Sequence, residues 1–129
     1  MTTNASMSVF NRYTDPFTKA VTFKKHVISN VFWDDTIAVQ QNLGHDKSNK
    51  VVVYIPKDKN DLSNYVNAKQ YNGNGWTLQT GDFIVKGEVI EATITGIKDL
   101  KNYDVFTIME FDDKDYGSNN MRHFEIKGS

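Results

Sequence analysis

Apolar residues along this chain recur at every second position far more often than at every third and fourth, which is the spacing of strands rather than helices. In VTFKKHVISNVFW, residues 21–33, Val21, Phe23, Val27, Val31 and Trp33 share one parity, and Lys24, His26 and Asn30 share the other. Lys25 and Ser29 interrupt the dry face; Ile28 and Phe32 interrupt the wetter one. KVVVYIP has the β-branched density of a buried strand and stops at Pro56, whose missing N–H ends a ladder. WTLQTGDFIVKG predicts a hairpin about the turn Gln79-Thr80-Gly81-Asp82. DVFTIMEFDD sets Val105, Thr107, Met109 and Phe111 against Phe106 and Ile108, and MRHFEIKG sets Met121, His123 and Glu125 against Arg122, Phe124 and Ile126. Between them KDYGSNN reads as a turn.

Helix is scarce. TITGIKDLKNY predicts one or two turns, with Thr95 as cap and Ile97 and Leu100 on one face. Two segments lack clear periodicity: Thr36 to Asn49, whose first half still allows strand, and Lys57 to Gly75. Loops of that length in a compact domain are usually functional or mobile. The pattern therefore predicts an all-β fold: a single-domain β-barrel or sandwich of antiparallel strands over residues 1–129, with long loops, one short helix and a flexible N-terminus over 1–7.

Composition narrows the chemistry. The chain of 129 residues has no cysteine, which removes disulfides, thiolate catalysis and cysteine-ligated zinc and leaves intracellular, virion and secreted settings open. Lysine and arginine nearly balance aspartate and glutamate, for a formal charge of -1, so no basic excess drives binding to phosphate backbones, and no specific nucleic-acid partner is expected. No apolar run has the length of a membrane span, and the N-terminus lacks the basic and apolar regions of a signal peptide, so no membrane partner is expected either.

The most suggestive chemistry is near the C-terminus, where Asp112, Asp113, Asp115 and His123 fall within a dozen residues. A calcium loop read from Asp113 fails, because Gly117 stands at its fifth position and Phe124 at its twelfth. The three histidines, His26, His45 and His123, form no HxH or HxxxH pair for zinc. The acids read as turn chemistry, and His123 as a general base lacks an orienting carboxylate and a nucleophile. Nucleophile-elbow, P-loop, dinucleotide and zinc-protease motifs are missing, and the glycines of YNGNGW precede neither a basic residue nor a helix start. No catalytic residue, metal ligand or cofactor site is predicted. Within Lys57 to Gly75, Tyr65, Val66 and Tyr71 stand among polar residues and are the candidate partner-binding positions, on a segment expected to be flexible until it meets a neighbouring subunit.

The ordered set VFNRYTDPFTK, HVISNVFWDD, VVVYIP, WTLQTGDFIVKGEV, ITGIKDL, DVFTIMEFDDKDYGS and MRHFEIKG resembles a family of small uncharacterised proteins of tailed phages and prophages of Gram-positive bacteria. The resemblance implies a structural, non-catalytic virion protein at the head-to-tail junction, of the head-completion, stopper or minor capsid type. Its implied partners are portal, adaptor and tail proteins and further copies of itself in a ring, in the virion and, during assembly, in the host cytoplasm. A β-rich phage-encoded binding module is the competing reading.

Overall fold

The computed structural model describes residues 2–34, 50–115, 117–118 and 121–129. The stretch 36–49, His45 included, and positions 116 and 119–120 of the turn after Lys114 lie outside them.

The chain is all-β. Among the described residues the strands are β1 (Ala5–Thr14), β2 (Val21–Asp34), β3 (Val51–Pro56), β4 (Phe83–Lys86), β5 (Thr93–Ile94), β6 (Val105–Lys114) and β7 (His123–Gly128), and every pairing between them is antiparallel. Pairing runs β1-β4-β6-β7-β3-β2, and β2 pairs with β1 again, so six strands close into a ring with the short β5 added on β2. Each ring strand sends alternate side chains inward, and Met7, Val9, Ile28, Val31, Trp33, Val53, Ile55, Ile84, Ile108, Phe124 and Ile126 pack there as one buried cluster. A second cluster lies on the outer face: Phe10, Phe23 and Val85 from β1, β2 and β4, covered by Val89, Ile94 and Leu100 of the following segment.

Two clusters on opposite faces explain why the parity reading of β2 held only in halves. Ala5 pairs with Val31 but Met7 with Ile28, so β2 carries one extra residue between them, a β-bulge. Before the bulge the odd residue Phe23 belongs to the outer cluster; after it the odd residues Val31 and Trp33 belong to the inner one. Lys25 is no flaw in a dry face: its ammonium reaches the Val89 carbonyl at 2.6 Å at the margin of the outer cluster. In β6, Ile108 pairs with Gly128 and Glu110 with Lys127, which leaves Met109 as the extra residue. Phe106 and Ile108 point inward before it and Phe111 after it, whereas a single parity put Met109 and Phe111 together. Each bulge falls where its strand leaves one partner for another, β1 for β3 in β2 and β4 for β7 in β6.

Three further expectations are corrected. The N-terminus is not loose as far as residue 7: β1 begins at Ala5, and Met7 is fully buried. Its alternation is hidden because Met7, Ser8, Val9, Phe10 and Asn11 are all buried, on two packed faces. Residues 76–79 form no strand with β4, although Gly81 has the expected positive φ of 90° and Asp82 N–H reaches the Gln79 carbonyl at 3.3 Å. β4 pairs with β1 and β6 instead. The expected helix is a single 3₁₀ turn, Ile97–Leu100, and Thr95 does not cap it; the Thr95 N–H and hydroxyl both donate to the Asp99 carboxylate. Of the pair expected on one face, Leu100 is buried but Ile97 is 46% exposed, and Thr93–Ile94 before the turn is strand β5.

Candidate functional site

The C-terminal acids are held by cations. The ammonium of Lys57, just past β3, lies 2.5 Å from Asp113 and 3.3 Å from Asp115, and the Arg122 guanidinium is 3.7 Å from Asp115. Burial alone would lower the Lys57 pKa, but hydrogen bonding to Asp113 and Asp115 outweighs it and holds the ammonium above its ordinary range. The same ammonium sits 4.7 Å over the Phe124 ring. His123 points elsewhere: its Nδ1 is 2.7 Å from the Met121 carbonyl, which only accepts, so that nitrogen carries the hydrogen. Its ring meets the Tyr54 ring edge-on at 5.6 Å. Asp113, Asp115 and His123 are therefore not brought to one point. Among the described residues no group of three or more metal-ligating side chains could hold an ion.

Lys57 to Gly75 is fastened to its own chain. The Asn60 side chain takes the place of a strand partner beside the β2 bulge, donating to the Asn30 carbonyl at 2.7 Å and accepting from the Asn30 N–H at 3.2 Å. Lys24 donates to the Gly73 carbonyl at 3.3 Å, and the backbone of Val66 and Trp76 is joined by a 2.9 Å bond. Tyr65 lies 4.9 Å from both the Trp76 and Phe124 rings and packs, with Leu62, against the inner cluster. Val66 is half-buried, and the Tyr71 hydroxyl is buried without a hydrogen-bond partner among the protein atoms. Of the three expected contact positions, Tyr65 packs on this chain's own core, while Val66 and Tyr71 remain partly exposed.

Residues 76–79 form no strand: the backbone of Trp76 bonds to Asn64 and Val66, and the Asn11 side chain serves Thr77. The Asn11 amide donates to the Thr77 carbonyl at 2.8 Å and accepts from the Thr77 N–H at 3.0 Å. It also donates to Asp82 at 3.0 Å, whose other oxygen accepts from the Arg12 N–H at 3.1 Å. Burial pushes the Asp82 carboxyl above the usual carboxylate range, with the hydrogen bonds from Asn11 and Gln79 working against it. No motif marks these residues, since a buried asparagine in a strand and an aspartate in a turn look ordinary in sequence.

A cleft of about 220 Å³ separates the 59–64 stretch from β2, lined by His26, Asn30, Asn60, Asp61 and Trp76. His26 stacks on Trp76 with ring centres 4.9 Å apart and planes 6° from parallel. Burial lowers the imidazole pKa, and Asp61 partly restores it.

Two features stand out on the surface. The β1–β2 turn is tightly built: Asp15 N–H donates to the Ala20 carbonyl and Lys19 N–H to the Asp15 carbonyl, both at 2.9 Å, and the Asp15 carboxylate accepts from the N–H of Phe17 and Thr18. Those bonds, Thr18 first, hold the Asp15 pKa below its usual value. At its tip Phe17 is 92% exposed. Beside the β6 bulge, Met109 is 60% exposed at the edge of a concavity of about 480 Å³ floored by Val51 and Val52 and flanked by Lys50, Glu110 and Lys127.

Residues 1–129 match the model of a family of unknown function, DUF6751, so the chain belongs to that family along its whole length. No curated protein and no solved structure matches it.

Proposed function

We propose that this member of DUF6751 is a non-catalytic structural subunit that works through protein–protein contacts, at the head-to-tail junction of a tailed-phage particle, as a head-completion, stopper or minor capsid protein. The observation that carries the contact role is Phe17: an aromatic ring almost wholly in water, on a turn whose backbone is fixed by its own hydrogen bonds. A large apolar side chain so displayed gains most by burial on a neighbour, and a fixed turn loses little freedom when that happens. The position in the particle rests on the sequence resemblance. The non-catalytic reading is supported by the use of the C-terminal acids, each ion-paired to a lysine or arginine.

A second reading, a small phage-encoded binding module, is favoured by the cleft beside His26, whose polar lining suits a small ligand. Deleting the gene from a phage or prophage that carries it separates the two. Electron microscopy of the lysate should show DNA-filled heads without tails; normal tailed particles in normal yield overturn the structural role.

A further inference from the structure

The exposed ring and the concavity lie at opposite ends of the same strand. Phe17 precedes β2, which starts at Val21. The concavity adjoins the other end of β2, where Asp34 pairs with Val52. Over the 14 residues of β2 the two features are separated by roughly 45 Å of strand contour. Phe17 stands 92% exposed, outside the concavity of its own chain, and a second copy can supply the ring that fills it.

The fit is chemical as well as geometric. The floor of Val51 and Val52 is apolar, and Met109, turned outward as the extra residue of the β6 bulge, gives it an adaptable wall. The volume of about 480 Å³ exceeds that of a phenyl ring, which leaves room for the turn that carries it. Asp15, two residues from Phe17, brings an anionic group toward Lys50 at the rim, where Lys127 is already paired with Glu110 at 3.0 Å.

We infer that Phe17 of one copy inserts into the concavity bounded by Val51, Val52 and Met109 of the next, so that the chain associates with itself head to tail. The two surfaces differ, so the contact is heterologous: each copy offers a ring on one side and a receptor on the other, and repetition closes a ring wherever the rotation per step allows. This deepens the reading of the chain as an assembly subunit and rests on it.

The test uses the purified full chain in sedimentation velocity over a wide concentration range, with Phe17→Ser and Met109→Glu. Both positions are exposed, so both variants should melt like the wild type. Wild type should show oligomers that grow with concentration, and each variant alone should remain monomeric. Mixing the two variants should restore one complete contact, the Phe17 of one with the intact receptor of the other, and yield a heterodimer and nothing larger. Wild type that stays monomeric at every concentration overturns the inference and leaves Phe17 to a partner of different chemistry. Self-association of Met109→Glu like that of wild type, or a silent mixture, also overturns it. None of these results touches the role in the particle, which the gene deletion reads separately.

Discussion

Asn11 serves Thr77 as a strand neighbour would, donating to its carbonyl at 2.8 Å and accepting from its N–H at 3.0 Å with one side-chain amide. Both residues are buried, so no water stands ready to replace the amide. Asn11→Ala orphans both backbone groups of Thr77 and removes a donor from the buried Asp82. At about 1–3 kcal/mol for each orphaned group, the loss should exceed about 3 kcal/mol in urea denaturation. A loss below about 1 kcal/mol would mean that the backbone of 76–79 is supported by something else.

Gly75 and Gly81 both hold a positive φ, 75° and 90°, but in different surroundings. A Cβ on Gly75 would meet the Asn64 carbonyl oxygen at 2.2 Å, whereas one on Gly81 would meet nothing within 4 Å. Gly81→Ala should therefore cost only the left-handed conformation, about 1–2 kcal/mol. Gly75→Ala should cost more, because backbone must move, and it should loosen the join between Asn64 and Trp76. Equal melting temperatures for the two variants contradict this packing.

Phe124 and His123 are neighbours in β7 with opposite fates. Phe124 is buried against Tyr65 and Trp76, while His123 lies half-buried against Tyr54. Phe124→Ala should cost about 3–5 kcal/mol and His123→Ala far less. Replacing residues 58–73 by a short Gly-Ser linker should likewise lower the melting temperature, since Asn60, Leu62 and Tyr65 go with them. Unchanged stability after that replacement would return the segment to the role of a dispensable loop.

His26 gives stability a pH dependence of defined sign. Its folded pKa lies below the ordinary 6.5 because burial disfavours the imidazolium, so the fold prefers the neutral ring. Between the lowered folded value and 6.5 the unfolded chain holds more protons. This contribution is therefore complete above 6.5 and declines as pH falls from there. His26→Phe keeps an aromatic ring for Trp76 to stack on and removes the titration. Between about pH 7.5 and about pH 5.5 the wild type should lose more melting temperature than the variant. Parallel pH profiles count against the assignment.

What the sequence made legible is the part governed by local alternation. β7 alternates against a single interior and follows directly from HFEIKG, whereas β3, buried at Val51, Val52 and Val53 alike, was legible from the β-branched density of VVVYIP. β2 and β6 were recognisable as strands, but their faces were not, because a bulge changes parity and its only trace is an irregularity such as Ser29 beside Ile28. β1 escaped notice since both of its faces are covered, so Ser8 and Asn11 are buried like their apolar neighbours. The Lys57 to Gly75 segment was correctly seen as lacking strand pattern, yet its anchoring depends on Asn30, Lys24 and Phe124, distant in sequence and invisible to any local window. Phe17 and Met109 were legible only as residues; their display depends on the turn and the bulge.

The last strand of the sequence is an inner member of the ring: β7 lies between β3 and β6, bonded to Val51–Pro56 on one side and to residues 108–114 on the other. While the chain is being made, both of those strands carry an open edge until residues 123–128 leave the ribosome, and the interior cannot be sealed before then. Folding should accordingly be late and all-or-none, slowed by the long sequence separation of its pairings. A chain stopped before His123 should expose two sticky edges to other nascent chains instead of forming a smaller stable core.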